Sequence, residues 1–324
     1  MAKILSDFGV GYYSYLEVST EADSEPICVY SAVLPDEILN DAMGKISEVL
    51  DLRKTDNQIV VTDVLAYIST KLDKLQEKYQ STKSKNPLEL VIQPLEQFIR
   101  PNLDSVVLII ISIVVALAGL FLNNEAIVVG SMILSPMLGP INAVVANASL
   151  GRIRKVAYAE ANVFLLLGIS LLSAYLLTEV LRNLTRLTIT AAILTRSSVT
   201  TFDVIVALVL GIASALGLLA KLPGTLVGVA VAAALVPPLA VTGIFAALGN
   251  FHLAGQSFIL AVEYLFGLKA GGMLTLQITG FSPRNYWEAS KARKYRIRFL
   301  MFFSVVVLIL LLVIVFVAPS TTVP

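Results

Sequence analysis

The stretch Val129–Val144 reads VGSMILSPMLGPINAV and lies inside a long apolar run, yet it carries Pro136, Pro140, Gly130 and Gly139. Proline in a helix interior costs about 3 kcal/mol, because it loses a hydrogen bond and its ring clashes with the preceding turn. A run of this length reads as a membrane span. A bilayer tolerates broken backbone only where protein or a water-filled cavity satisfies the freed N–H and C=O groups. The stretch therefore predicts a discontinuous helix that unwinds at SPMLGP and lines an interior site. The alternative is an ordinary proline kink packed against neighbours.

The same pattern recurs. Displaced by 98 residues, GLFLNNEAIVVGSMILSPMLGPINAVVANASLG (119–151) falls on GLLAKLPGTLVGVAVAAALVPPLAVTGIFAALG (217–249) without a gap. Gly119 meets Gly217, Gly130 meets Gly228, Pro140 meets Pro238 and Gly151 meets Gly249. Residues that control backbone shape thus coincide in register. Leu120, Val129, Ala148 and Leu150 also fall on their own kind.

Seven segments approach the length needed to cross a bilayer: 105–122, 126–150, 156–181, 204–220, 225–248, 254–278 and 299–317. Each copy of the repeat then holds three spans. Three is odd, so the second copy enters the membrane from the opposite side and the repeat is inverted. A Gly/Pro-interrupted segment at matching places in two inverted halves points to the central site of a transporter. The expectation is that SPMLGP and LVPPL both unwind and face each other, presenting N–H groups to anions and carbonyls to cations.

Composition agrees with a polytopic membrane protein. The 324 residues are 56% hydrophobic and 15% charged, with a mean hydropathy of +0.81; soluble domains run near 45–50% apolar and about 25% charged. Net charge is +1, which names no acidic partner, and no nucleic acid is expected. Cys28 is the single cysteine and His252 the single histidine. That excludes a disulfide framework and a histidine metal cluster. No phosphate-binding loop and no Gly-x-Gly-Asp pair is present. The expectation is a non-enzyme without metal or cofactor.

Basic residues set the orientation. With the N-terminus inside, the internal loops hold Arg152, Arg154, Lys155, Lys221, Arg284, Lys291, Arg293, Lys294, Arg296 and Arg298, against external Arg182, Arg186 and Arg196. Positive charge favours the cytoplasmic side, so the N-terminus is expected in the cytoplasm and the C-terminus outside the cytoplasmic membrane. No signal peptide is read in the first residues.

The expected organisation is a small cytoplasmic α+β domain over 1–85, a linker and interfacial helix over 86–103, a transmembrane inverted-repeat core over 104–281, a basic cytoplasmic loop over 282–298 and a last span over 299–324. In the first domain GYYSYLEVST and PICVYSAVL read as strands. PDEILNDAMGKISEVL and DVLAYISTKLDKLQEKYQ read as helices, STKSKNP as a linker, and LELVIQPLEQFIRP as an amphipathic interfacial segment. This domain serves as a folding or oligomerisation module, or else senses a regulatory ligand.

Polar residues inside the spans are the candidate site. Ser135 and Asn142 flank the SPMLGP break, and Thr242 is the approximate counterpart of Asn142. Ser131 and Asn147 fit interhelical glue. Glu160 and Glu263 are costly to bury and are functional candidates by default; Glu263 is expected to pair with Lys269, and Glu160 with Arg154 or Lys155. Asp203, three residues after Thr200, suits a helix N-cap. Arg196 either holds its loop or reaches the site from outside.

GLFLNNEAIVVGSMILSPMLGP resembles the motif of a prokaryotic membrane family catalogued as domain of unknown function 389: a helix, a short polar turn, then an apolar Gly-Ala-Met-Leu-x-x-Pro-Leu-x-Gly-Pro run. LTRSSVTTFDVIVALVLGIASALGL and VGVAVAAALVPPLAVTGI resemble its second-half motifs. The resemblance covers about residues 100–280. Ser131 stands where that family commonly shows Ala, and VEYLFGLKAGG where an Asn-containing segment is usual. The resemblance implies a fold class and no activity.

The reading is a secondary transporter or facilitator of a small polar or anionic solute, embedded in a lipid bilayer and assembled as a homo-oligomer. Ser135, Pro136, Gly139, Pro140, Asn142, Pro237, Pro238 and Gly243 would form the substrate or ion site. Glu160, Glu263 and Arg196 would couple or gate. The alternatives are a passive ion channel on the same scaffold, and a membrane sensor or scaffold acting through the N-terminal domain.

Overall fold

The computed structural model describes residues 2–8, 13–18, 27–34, 36–51, 57–62, 88–220, 224–281 and 286–317. The helix read over 63–80 and the linker over 81–87 lie outside them. The chain divides into two units, Met1–Leu90 and Val91–Pro324.

In the first unit, α1 (Ala2–Asp7) precedes strands β1 (Tyr13–Val18) and β2 (Ile27–Ala32), and α2 (Asp36–Val49) follows. The strands are rich in β-branched and aromatic residues, which suit a pleated surface. They pair antiparallel, with Tyr15 opposite Tyr30. Leu5 and Phe8 pack with Ile38 and Ala42 in a small apolar cluster.

The second unit is helical. Its elements are α3 (Leu88–Glu96, which begins at the boundary), α4 (Leu103–Phe121), α5 (Glu125–Leu134), α6 (Leu138–Ser149), α7 (Ile153–Leu184), α8 (Ala191–Leu194), α9 (Thr201–Leu219), α10 (Gly224–Ala247), α11 (Phe251–Ile278) and α12 (Tyr286–Val317). Among the described residues, five helices are long and apolar enough to cross a bilayer: α4, α7, α9, α11 and the Arg293–Leu312 part of α12. α5 and α6 pass the same test only together.

α10 and α11 form the interior. Leu235, Val236, Ala240, Val241, Ile244 and Phe245 of α10 are fully buried. All of these but Leu235 share a core cluster with Ile113 and Leu120 of α4, Val128 of α5 and Ile193 of α8. The outer helices expose large apolar side chains, among them Ile111, Phe164, Leu172, Val209, Met301 and Leu308. Apolar area on this scale is foreign to a soluble monomer. Hydrocarbon is its proper solvent, and a helix keeps its backbone bonds internal there. The protein is a helical, membrane-embedded chain.

Local chemistry ends each span. Asn123 (φ 51) takes the left-handed conformation after α4, and Asn124 Oδ1 then accepts from the N–H groups of Ala126 and Ile127 to cap α5. Gly151 (φ 68) and Gly249 (φ 77) play the left-handed part after α6 and α10. The closing bonds are the same: Arg152 N donates to Asn147 O at 3.0 Å, and Asn250 N to Phe245 O at 2.9 Å. A glycine just past a helix end makes this reversal without a steric penalty.

The two proline segments behave differently. Proline disfavours the helical region for the residue before it, and Ser135, before Pro136, is extended (φ −75°, ψ 126°). α6 restarts at Leu138 with Pro140 in its first turn, where no helical partner awaits the missing N–H. The two axes differ by 52°. By contrast, α10 stays helical through Pro237 and Pro238. The expected unwinding at LVPPL is therefore corrected. Two adjacent prolines remove only two amide donors, and the helix is enclosed by packed neighbours over this stretch. A Cβ on Gly243 would lie 2.4 Å from Ala174 Cβ and 2.8 Å from Tyr175 N, so α7 holds α10 at backbone contact.

A second correction concerns the basic segment 282–298. From Tyr286 onward it is helix, continuous with the last span. YWEASKARKYRIR contains good helix formers and no Gly or Pro, so nothing in it stops the helix.

Candidate functional site

The break between α5 and α6 is built by residues from several elements. Ser135 Oγ is buried and has no hydrogen-bond partner. Met137, at the N-cap of α6, offers no side-chain cap. Phe98 closes over Gly139 so tightly that a Cβ there would lie 2.6 Å from the ring. Phe98 is positioned by its own carbonyl, which accepts from Asn162 Nδ2 at 2.8 Å. Two residues earlier, Glu96 pairs with Lys155 and lies 3.9 Å from Arg152. Val91, Ile92, Leu95 and Ile99 are buried while Gln93, Pro94 and Glu96 are exposed. The segment before the first span therefore buries one apolar face and delivers an aromatic ring to the break.

Asn142 lies one turn into α6. Its Oδ1 accepts from Ser214 Oγ of α9 at 2.8 Å, and both residues are buried. α10, carrying Pro237, Pro238 and Gly243, packs on both α5 and α6. Pro136, Gly139, Pro140 and Asn142 thus form one neighbourhood with α10 beside it. Three other polar side chains donate within their own helices: Ser131 Oγ to Val128 O, Asn147 Nδ2 to Ala143 O, and Thr242 Oγ1 to Pro238 O; the Oδ1 of Asn147 is buried without a partner.

The ionisable groups pair differently from expectation. Lys269 of α11 is fully buried, and its Nζ donates to both carboxylate oxygens of Glu160 on α7, at 2.9 and 2.6 Å. Three rings surround the ammonium: Phe164, Phe266 and Phe303 lie 5.7, 5.4 and 5.8 Å away at their centroids. A cation over ring faces within about 6 Å gains electrostatically. The expected partnerships Glu263–Lys269 and Glu160 with Arg154 or Lys155 are both corrected. Six residues along a helix turn Glu263 and Lys269 to different faces, and Glu96 takes Lys155.

Glu263 is left alone. It is fully buried, and neither carboxyl oxygen has a hydrogen-bond partner. Its neighbour Tyr264 donates to Asp203 Oδ1 at 3.1 Å. Asp203 Oδ2 accepts from the N–H and the hydroxyl of Thr200, both at 2.8 Å, as a capping arrangement requires.

Arg196 holds its loop. Its guanidinium bonds both oxygens of Glu125 and the carbonyl of Ala192. Thr190 Oγ1 donates to Leu120 O, and Ala192 N donates to Asn123 Oδ1. Glu125 is 60% exposed, and such pairs contribute about 1 kcal/mol or less. Arg196→Ala is expected to lower unfolding free energy by about that amount, read by thermal denaturation in detergent.

Several members of this neighbourhood escaped the sequence reading: Phe98, Asn162, Ser214 and the rings around Lys269. One signal was present. Glu160 and Lys269 are opposite charges on separate apolar helices, and burial makes such charges seek each other.

Residues 132–269 match the model of a family described as a domain of unknown function, DUF389. An uncharacterized protein of Methanocaldococcus jannaschii is 27% identical over 199 residues, which are 60% of this chain and 60% of that protein. The matched region thus spans less than two thirds of that relative's length. No solved structure matches.

Proposed function

We propose that this protein is a secondary transporter or facilitator of a small polar or anionic solute, with its site at the α5–α6 break. The observation that carries the reading is the interrupted helix itself, bent by 52° beside the buried helix α10. Half-helix ends inside a membrane are where transporters hold solutes. The free end of α6 presents N–H groups to an anion. Ser135, with its unpartnered hydroxyl, and Asn142 supply polar contacts, and Phe98 covers Gly139 from one side.

An inverted repeat supports the same reading. α4, α9 and their flanking helices recur at one interval: Leu103 and Thr201 open the first helix of each half, Ile153 and Phe251 the third, and Ser149 and Ala247 close the second. Each of these pairs is 98 residues apart, the displacement that aligns the two sequences. Gly151 and Gly249 share their positive φ and the same closing bonds. With seven spans, the halves insert in opposite directions and the N-terminus is cytoplasmic. The break is now single: SPMLGP carries the site, and LVPPL forms a continuous wall. Assembly into a homo-oligomer completes the proposal, with the N-terminal domain as its module.

The test is flux into proteoliposomes for a panel of small anions and cations, with and without Na⁺ or pH gradients. Wild type is expected to move some of these solutes selectively. Pro136→Ala combined with Pro140→Ala is expected to rejoin α5 and α6 and abolish that flux. Absence of flux for every solute from folded, correctly inserted protein would end the reading. Unitary currents in place of saturable flux would convert it to a channel.

A further inference from the structure

Glu263 is the outlier among the described residues. A carboxyl taken out of water needs a counter-charge, hydrogen-bond donors or a proton, because an unpaired buried carboxylate is among the costliest groups a protein can hold. Among the described residues neither of the first two is found. Both carboxyl oxygens lack partners, and no atom of the side chain reaches solvent.

The surroundings narrow the choice. On α11 the residues one turn away are Ile259, Leu260, Phe266 and Gly267, none of which has a side-chain oxygen. On α9 the only ionisable group is Asp203, close enough to act electrostatically on Glu263. Its oxygens are already engaged by Thr200 and Tyr264. Lys269, the cation of α11, is committed to Glu160. Residues 234–247 of α10 and 138–149 of α6 contain no ionisable side chain. On α12, the ionisable groups among residues 293–312 are Arg293, Lys294, Tyr295, Arg296 and Arg298, all in its basic first part. A hard metal cation takes several oxygen ligands at once, and among these faces Glu263 is the one carboxyl whose oxygens are not already engaged. A proton needs one oxygen and fits.

We infer that Glu263 is the proton-carrying group of the transport cycle, loaded in the buried position described above. This rests on the transport reading and names its coupling ion. The group takes a proton from water on one side while α11 is open to that side, and releases it to water on the other. The net change is one H⁺ moved per cycle, and no other bond is made or broken. Tyr264 and Asp203 mark the entry of this path, since their hydrogen bond lies one residue from Glu263 at the start of α9. Glu160 is excluded from the role because its carboxylate is occupied by Lys269.

Infrared difference spectroscopy of the full chain in lipid bilayers tests the inference without any solute. A protonated carboxyl shows a C=O stretch that an ionised carboxylate lacks, and the band shifts in D₂O. The wild-type minus Glu263→Gln spectrum at neutral pH is expected to contain this band, and the wild-type minus Glu160→Gln spectrum to lack it. If the Gln variant does not fold, Glu263→Asp keeps the acid and is expected to displace the band. A wild-type minus Glu263→Gln spectrum showing only carboxylate loss would overturn the proposal. Its failure is distinguishable from failure of the transport reading: selective flux with an ionised Glu263 removes the proton carrier and leaves transport, whereas the band without any flux leaves the buried acid and removes transport.

Discussion

Glu160→Gln is expected to destabilise the protein by about 3–5 kcal/mol, and adding Lys269→Met is expected to restore most of the loss. The single change leaves a fully buried ammonium without its counter-ion. The three phenylalanine rings attract it but carry no net charge, so their contribution of about 1–2 kcal/mol falls short. The double change replaces the pair by two uncharged side chains of similar volume, an exchange that is often neutral or favourable. Lys269→Met alone is expected to cost less than Glu160→Gln. The carboxylate it strands is 22% exposed, whereas the ammonium is 0% exposed, so Glu160 can recover some water. The measurement is thermal or denaturant unfolding of all four proteins in the same detergent. Additive losses in the double variant would show that the two groups act independently, and the pair would lose its structural standing.

The second large effect is expected at the seam between α9 and α11. A Cβ on Gly271 would fall 2.2 Å from Leu208 O and 3.1 Å from Ile212 N, and one on Gly211 would fall 2.3 Å from Leu268 O. These obstacles are backbone, so no rotamer change can yield. Restoring van der Waals separation needs the helices roughly 1 Å further apart. Gly271→Ala is expected to cost about 1–3 kcal/mol, the usual range for overpacking, and Gly271→Val more. Because both glycines serve one contact, Gly211→Ala added to Gly271→Ala is expected to cost less than the sum, since the helices have already parted. Gly168→Ala is the control: nothing lies within 4 Å of its Cβ, and removing a helical glycine is expected to stabilise by about 0.5–1 kcal/mol. An equal loss at Gly168 and Gly271 would refute the seam. In the proposed transport cycle the seam matters because α9 carries Asp203 while α11 carries Tyr264 and Glu263.

The glycine seam also illustrates what a sequence conceals. Gly267, Lys269, Gly271 and Gly272 sit within six residues, in the segment that differs from the usual pattern of the resembled family. In the fold each has a separate task, because successive residues of a helix face different neighbours. Gly267 and Gly271 meet α9, Gly272 meets Val145 of α6, and Lys269 meets Glu160 of α7. SPMLGP was legible because its signal is local: Pro136 acts on Ser135, its immediate neighbour. LVPPL misled for the complementary reason. Its prolines exert the same local pressure, and the enclosing helices override it.

By itself the sequence determined the apolar helices, their turns and the break at Ser135. Hydropathy, the asparagine and glycine caps and the proline restriction each act within a few residues. The tertiary structure decided which charges meet, which proline segment stays helical and which ring covers Gly139. Those outcomes depend on how each helix is rotated about its axis and what packs beside it. A charge inside a low-dielectric assembly takes the partner that packing brings within a few ångströms, and for Lys269 that partner is Glu160, more than a hundred residues away in the chain.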